Sequence, residues 1–176
     1  MVNIEKELEE NQTILLLMMG ENYNNLTLSI AKQLSGKKMC YVTLNKTFHA
    51  LDETFSKNGI DTKNMVFVDT ISRTFMDKPE QTGRCHFISS PAALTELSIT
   101  LSKFVKDGFD YIIFDSLTNL MVYEKKAPVA KFLSSVINRV KEGKIKAVFY
   151  ALKVDQHNEL IQECSMFVDK VIDLGR

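Results

Sequence analysis

The chain has 176 residues, with 22 Lys and Arg against 22 Asp and Glu and a formal net charge of zero. Its 45% hydrophobic and 25% charged content is that of a folded domain with one sizeable core, and excludes a disordered segment. Balanced charge gives no basic footprint for nucleic acid or anionic lipid, and no apolar run approaches the roughly 18 residues of a membrane span.

Residues 1–12 read as a charged, acidic N-terminal segment, unlike a secretory leader, which predicts a cytoplasmic protein. Cys40, Cys85 and Cys164 form no C-x-x-C pair, so reduced thiols are expected. Residues 14–19 are continuously apolar and predict a first strand buried on both faces, ended by Gly20. A helix follows from Asn24 or Asn25 to Leu34, carried by Leu26, Ile30 and Leu34 at fourfold spacing and stopped by Gly36. Residues 39–44 give a second strand. Thr47 caps the next helix, whose Phe48, Leu51 and Phe55 share a face, and Asn58 with Gly59 closes it. Residues 65–68 are a third strand ending at Asp69.

Residues 70–86 break the rhythm as a long polar loop, of a length that is usually functional or mobile. Ser90 and Pro91 are expected to open a helix with Leu94, Leu97, Leu101, Phe104 and Val105 inward, ended by Asp107 and Gly108. Residues 111–114 form a fourth strand closed by Asp115. A helix over about 128–141, a strand over 147–152, a short helix over 158–164 and a short strand over 170–172 complete the chain. Repeated β-α-β units with hydrophobic strands predict one α/β domain over 1–176, a mostly parallel sheet with helices on both faces. Sites in such sheets form beyond the carboxyl ends of the strands.

Residues 20–27, Gly-Glu-Asn-Tyr-Asn-Asn-Leu-Thr, occupy the place and length of a phosphate loop, with Asn25 for the second glycine and Leu26 for the lysine. Residues 41–46, Tyr-Val-Thr-Leu-Asn-Lys, then a helix and Asn58-Gly59-Ile60-Asp61, resemble the second unit of KaiC-like ATPases of the RecA superfamily. Residues 111–118, Tyr-Ile-Ile-Phe-Asp-Ser-Leu-Thr, resemble that family's Walker B strand, and residues 167–174 its terminal strand. The pieces fall in family order over nearly the whole chain, and the resemblance implies a RecA-like P-loop NTPase core.

Carried over by position, the resemblance implies a degenerate nucleotide site at Gly20, Asn24, Asn25, Leu26, Thr27, Lys46, Asp115 and Ser116. Thr27 and Asp115 match the magnesium ligands, relevant only where a magnesium nucleotide binds. Leu26 cannot neutralise phosphate, and Asn45 and Lys46 replace the glutamates that polarise water, so no catalytic residue is assigned. The resemblance therefore implies a pseudo-ATPase without a resident cofactor, acting by protein contacts with itself, as a homo-oligomer, or with an active RecA/KaiC-like ATPase.

Two alternatives stay open. One is a switch that binds ATP or ADP with magnesium and hydrolyses little, its phosphate held by a helix N-terminus, by Asn22, Asn24 and Asn25 in left-handed turn conformations, and by Lys46 as substitute cation. The other is an enzyme of a different class using Asp69, Asp115 and His157 at the strand ends. Asp115 and Asp69 also suit a capping role, and Cys85-His86 lacks a second ligand pair at zinc spacing. Lys153 and Arg139 are candidates to reach a neighbouring subunit.

Overall fold

The computed structural model describes residues 2–175. The strands are β1 (Thr13–Met18), β2 (Met39–Thr43), β3 (Met65–Asp69), β4 (Cys85–Phe87), β5 (Tyr111–Asp115), β6 (Lys146–Leu152) and β7 (Lys170–Asp173). They form one sheet in the order β4-β3-β2-β5-β6-β1-β7, and every pairing is parallel. The expected doubly covered α/β sheet is what forms, and the one antiparallel contact among the described residues is an isolated bridge between Thr82 and Cys85.

Parallel strands need crossovers, and helices supply them on both faces. On one face α1 (Ile4–Glu10), α2 (Tyr23–Leu34) and α3 (Phe48–Lys57) bury Ile4, Leu8, Ile30, Leu51 and Phe55 against Ile14, Leu16, Tyr41, Phe67, Ile113 and Tyr150. On the other, α4 (Leu94–Lys106), α5 (Leu117–Tyr123), α6 (Lys126–Glu142) and α7 (Asn158–Phe167) cover Leu15, Val42, Phe114 and Phe149. The period-two alternation of strand side chains decides which residue meets which face.

Glycine ends α2 and α4 as expected: Gly36 and Gly108 take φ of +87° and +73°, a region that other residues adopt only with strain. The three cysteines are free and buried. Among the described residues no helix is long and apolar enough to cross a membrane.

Four local readings are corrected. Residues 4–10 of the charged N-terminal segment are helical, because Ile4 and Leu8 lie one turn apart and both bury, while Asn3 caps Lys6 N at 3.0 Å. Gln33 of α2 docks this helix by accepting from Ile4 N at 2.7 Å. The 70–86 loop holds a 3-10 turn at Ser72–Thr74 and enters edge strand β4 at Cys85. Helix α4 begins at Leu94, not Pro91, because residues 90–93 form a turn in which Ser90 O accepts from Ala93 N at 3.1 Å. Glu96 then reaches back to accept from Ser89 N and Oγ at 3.2 and 2.6 Å. Helix α5 follows β5 after one residue and escaped the sequence reading because only Leu117, Thr118 and Leu120 of its seven residues bury.

Candidate functional site

The carboxyl edge of the sheet centres on Asp115, the last residue of β5, which is fully buried. In register it faces Thr43 of β2, which in turn faces Asp69 of β3. Strand alternation turns Asp115 toward the α2 side, the face that also carries Tyr41 and Tyr150. Tyr41 Oη donates to Asp115 Oδ2 at 2.5 Å. From above the sheet, Tyr23 Oη donates a short hydrogen bond to Asp115 Oδ1. Asn45 Nδ2 donates to Tyr23 Oη at 2.7 Å, fixing the ring from the β2–α3 turn.

Burial pushes the Asp115 carboxyl up to about 6, opposed by the bonds from Tyr23 and Tyr41, by the Lys46 charge and by Asn45. Burial first, and then the Asp115 charge, hold the Tyr23 and Tyr41 phenols well above their ordinary value. They are therefore donors throughout the physiological range, and both carboxylate oxygens have a donor. Tyr150 Oη is buried without a hydrogen-bond partner, and its phenol is raised by burial and then by Asp115.

The sequence-assigned residues divide. Residues 19–22 close in a tight turn, with Asn22 N donating to Met19 O at 3.1 Å and Tyr23 N to Gly20 O at 3.4 Å. Asn22 is in right-handed backbone and Asn24 and Asn25 are helical; among the described residues no non-glycine residue has positive φ. The expected left-handed asparagine turn is therefore corrected: helix α2 starts at Tyr23, one or two residues early, and absorbs Asn24 and Asn25. Leu26 turns away from the edge, lining a crevice with Val2, Ile4, Ile30 and Leu174. Thr27 is 3% exposed, and its Oγ1 lies near the Tyr23 hydroxyl without reaching hydrogen-bonding geometry with any group. Lys46 Nζ donates to Asn24 Oδ1 at 2.9 Å and lies 5.5 Å from the Tyr23 ring centroid. Ser116 Oγ bonds Thr118 Oγ1 at 2.9 Å and Asn119 Oδ1, holding the start of α5.

Asp69 is a structural capper. Its carboxylate accepts from Phe48 N (2.7 Å), Ile71 N (2.7 Å), Ser72 N (2.8 Å) and Ser72 Oγ (2.6 Å), tying α3 to the turn after β3. His157 sits in a 3-10 turn after β6 with Nδ1 buried and without a partner. Lys153 pairs with Asp173 at 2.9 Å.

The Arg139 reading is corrected. Helices run back against the strands, so this residue near the end of α6 lies toward the amino edge. There its Nη1 donates to Ser98 O at 3.0 Å, to Ser98 Oγ at 2.9 Å and to Ser102 Oγ, joining α6 to α4. Among the described residues no group of three or more His, Cys, Asp or Glu is placed to hold a metal ion.

Sequence reasoning missed the tyrosines. Tyr41 and Tyr150 could have been found by counting alternation from Asp115 across the neighbouring strands. Tyr23 carried no such signal, since only the early start of α2 aims it at the carboxylate.

Residues 34–174 match the family DUF7504, described as a family of unknown function. No curated protein matches the sequence. Among solved structures, the fold is similar to that of a KaiC-like protein from the hyperthermophilic archaeon Pyrococcus horikoshii OT3. The TM-score is 0.66 at 14% identity, over 93% of this chain and 71% of that one. The likeness establishes a RecA-like, KaiC-like fold.

Proposed function

The chain belongs to the DUF7504 family, and from that premise we propose that it is a non-catalytic RecA/KaiC-like domain, regulatory or scaffolding, working through contacts with itself or with an active RecA/KaiC-like ATPase. The observation that carries this reading is the occupation of Asp115, whose two oxygens are bonded by Tyr23 and Tyr41. A carboxylate so engaged has to exchange phenol donors for a metal before it can serve a nucleotide. Leu26 faces away and the 19–22 turn bonds to itself, so the residues as they stand do not fit a magnesium nucleotide. Hydrolysis further lacks a base, because Asn45 is a neutral amide committed to Tyr23 and Lys46 is a cation.

The test is turnover of magnesium-ATP by the purified chain against a Thr27→Ala, Asp115→Ala control, with mass in solution measured alone and with candidate ATPase partners. Equal, background turnover is expected. Turnover well above the control overturns the reading.

A second reading, a nucleotide-binding switch without hydrolysis, is favoured by one feature. Thr27, with its unpartnered hydroxyl, lines a crevice of about 230 Å³ with Asn24 and Lys46. Calorimetric titration with magnesium-ATP and ADP decides it, together with hydrogen exchange over residues 20–27: binding at micromolar affinity with protection there replaces the first reading. An enzyme of another class finds less support, since Asp69 and Asp115 both spend their oxygens on internal donors.

A further inference from the structure

Five of the seven residues of α5 are apolar: Leu117, Leu120, Met121, Val122 and Tyr123. Leu117 and Leu120 bury and Met121 packs on the same core, yet Val122 and Tyr123 stay 71% and 46% exposed. A helix with apolar residues on every side is ordinarily covered on every side. Beyond Tyr123 the surface continues into an open groove of about 680 Å³, between Leu94 and Ile99 of α4 and Glu124 and Pro128 at the α5–α6 junction. Ile99 is itself exposed, so three large hydrophobic side chains gather at the end of α5 and this groove. Single exposed hydrophobics need no explanation, but a gathered set marks a surface that is covered in use.

The charges beside it say what covers it. Glu124 and Lys125 follow the apolar stripe directly, and neither side chain has an ion pair or hydrogen bond among the described residues. The next charge, Lys126, is already paired with Glu159 and Glu163 at 2.7 and 3.5 Å. The backbone is extended at both Glu124 and Lys125, with ψ of 159° at each, so their side chains diverge to opposite sides. Glu124 lines the groove, and Lys125 is exposed. A two-fold axis passing between them sets Glu124 of each copy opposite Lys125 of the other, so the surface is its own complement, as an isologous contact requires. A partner with charge of a single sign meets a like charge at one of the two positions.

From the reading above, that the chain works through contacts with itself, we infer that the outer face of α5 and the adjoining groove form the contact surface of a two-fold dimer. Val122 and Tyr123 lie at its centre, and two reciprocal Glu124–Lys125 pairs lie at its rim.

The test is sedimentation of the full chain over a concentration series, with hydrogen exchange measured at its two ends. Association in the micromolar range is expected, with exchange slowed at residues 94–99 and 120–125 in the concentrated sample. Val122→Asp, at an exposed position outside the core, should weaken association about a hundredfold. Glu124→Lys should weaken it about tenfold by setting like charges together, and Glu124→Lys combined with Lys125→Glu should restore it. A single-chain mass at millimolar concentration overturns the dimer. Association that Val122→Asp leaves intact, that the double reversal does not restore, or that protects other residues overturns this face. The underlying reading fails separately: magnesium-ATP turnover above the Thr27→Ala, Asp115→Ala control overturns it and leaves the sedimentation result unaffected.

Discussion

Tyr41 Oη donates to Asp115 Oδ2 at 2.5 Å across adjacent parallel strands, so two residues 74 positions apart share one hydrogen bond at the centre of the sheet. Tyr23 completes the arrangement from the helix above. Charge-assisted bonds to a buried carboxylate are stronger than neutral ones, and leaving such a carboxylate short of a donor is more costly than the bond itself is favourable.

Tyr23→Phe deletes one of these donors and strands Asn45 Nδ2. The expected loss is about 1–3 kcal/mol in denaturant unfolding, with a further rise of the Asp115 pKa. Unchanged stability would mean that the Tyr23–Asp115 bond contributes nothing.

Asp115 also gives the stability curve a distinctive slope. Its pKa is raised from 3.8 to about 6, chiefly by burial. The folded chain therefore binds this proton more tightly than the unfolded chain, and the stability so gained is complete below about pH 4 and lost as pH rises through 6. The difference in unfolding free energy between wild type and Asp115→Asn should fall by about 2 kcal/mol from pH 4 to pH 7, then level. A flat difference over that window rules out the raised carboxyl.

Asp69→Ala removes an acceptor used by Phe48, Ile71 and Ser72. With the buried Ser72 amide and the half-buried Phe48 and Ile71 amides left unpaired, a loss of about 3–5 kcal/mol is expected by chemical denaturation. Hydrogen exchange should quicken first at residues 48–50 and 71–74. Intact protection there would remove Asp69 from its tying role.

Leu26→Lys restores the residue type found at the phosphate-loop position. Because residue 26 points toward Ile4, Ile30 and Leu174 and away from the sheet edge, calorimetry with magnesium-ATP should show no gain in affinity. A gain of tenfold or more would show that the turn at 19–22 reopens.

Arg139→Met should cost about 1–2 kcal/mol by loosening α6 from Ser98 and Ser102, and should leave solution mass unchanged. A change in mass with stability intact would return Arg139 to a role between subunits.

The sequence by itself determined the architecture. Continuous apolar runs such as 14–19 and 111–114 are legible because a strand buried on both faces needs no polar alternation, and glycines such as Gly36 and Gly108 mark helix ends through their backbone freedom alone. These signals are local, within one element's length. Short elements were not legible: β4 has three residues and α1 seven, and each is stable only through the neighbours it packs on. The site was legible as a set of positions, with Asp115, Thr27 and Lys46 at the carboxyl edge, but its state was not. Whether Asp115 meets a metal or a phenol depends on where α2 begins and which way Tyr23 points, and whether Leu26 faces phosphate or α1 depends on the same rotation of the helix. Only packing across the sheet set that rotation, because the burial of Ile30 and Leu34 in the core that also holds Leu8, Ile14 and Leu16 fixes α2 about its axis and carries every other side chain with it.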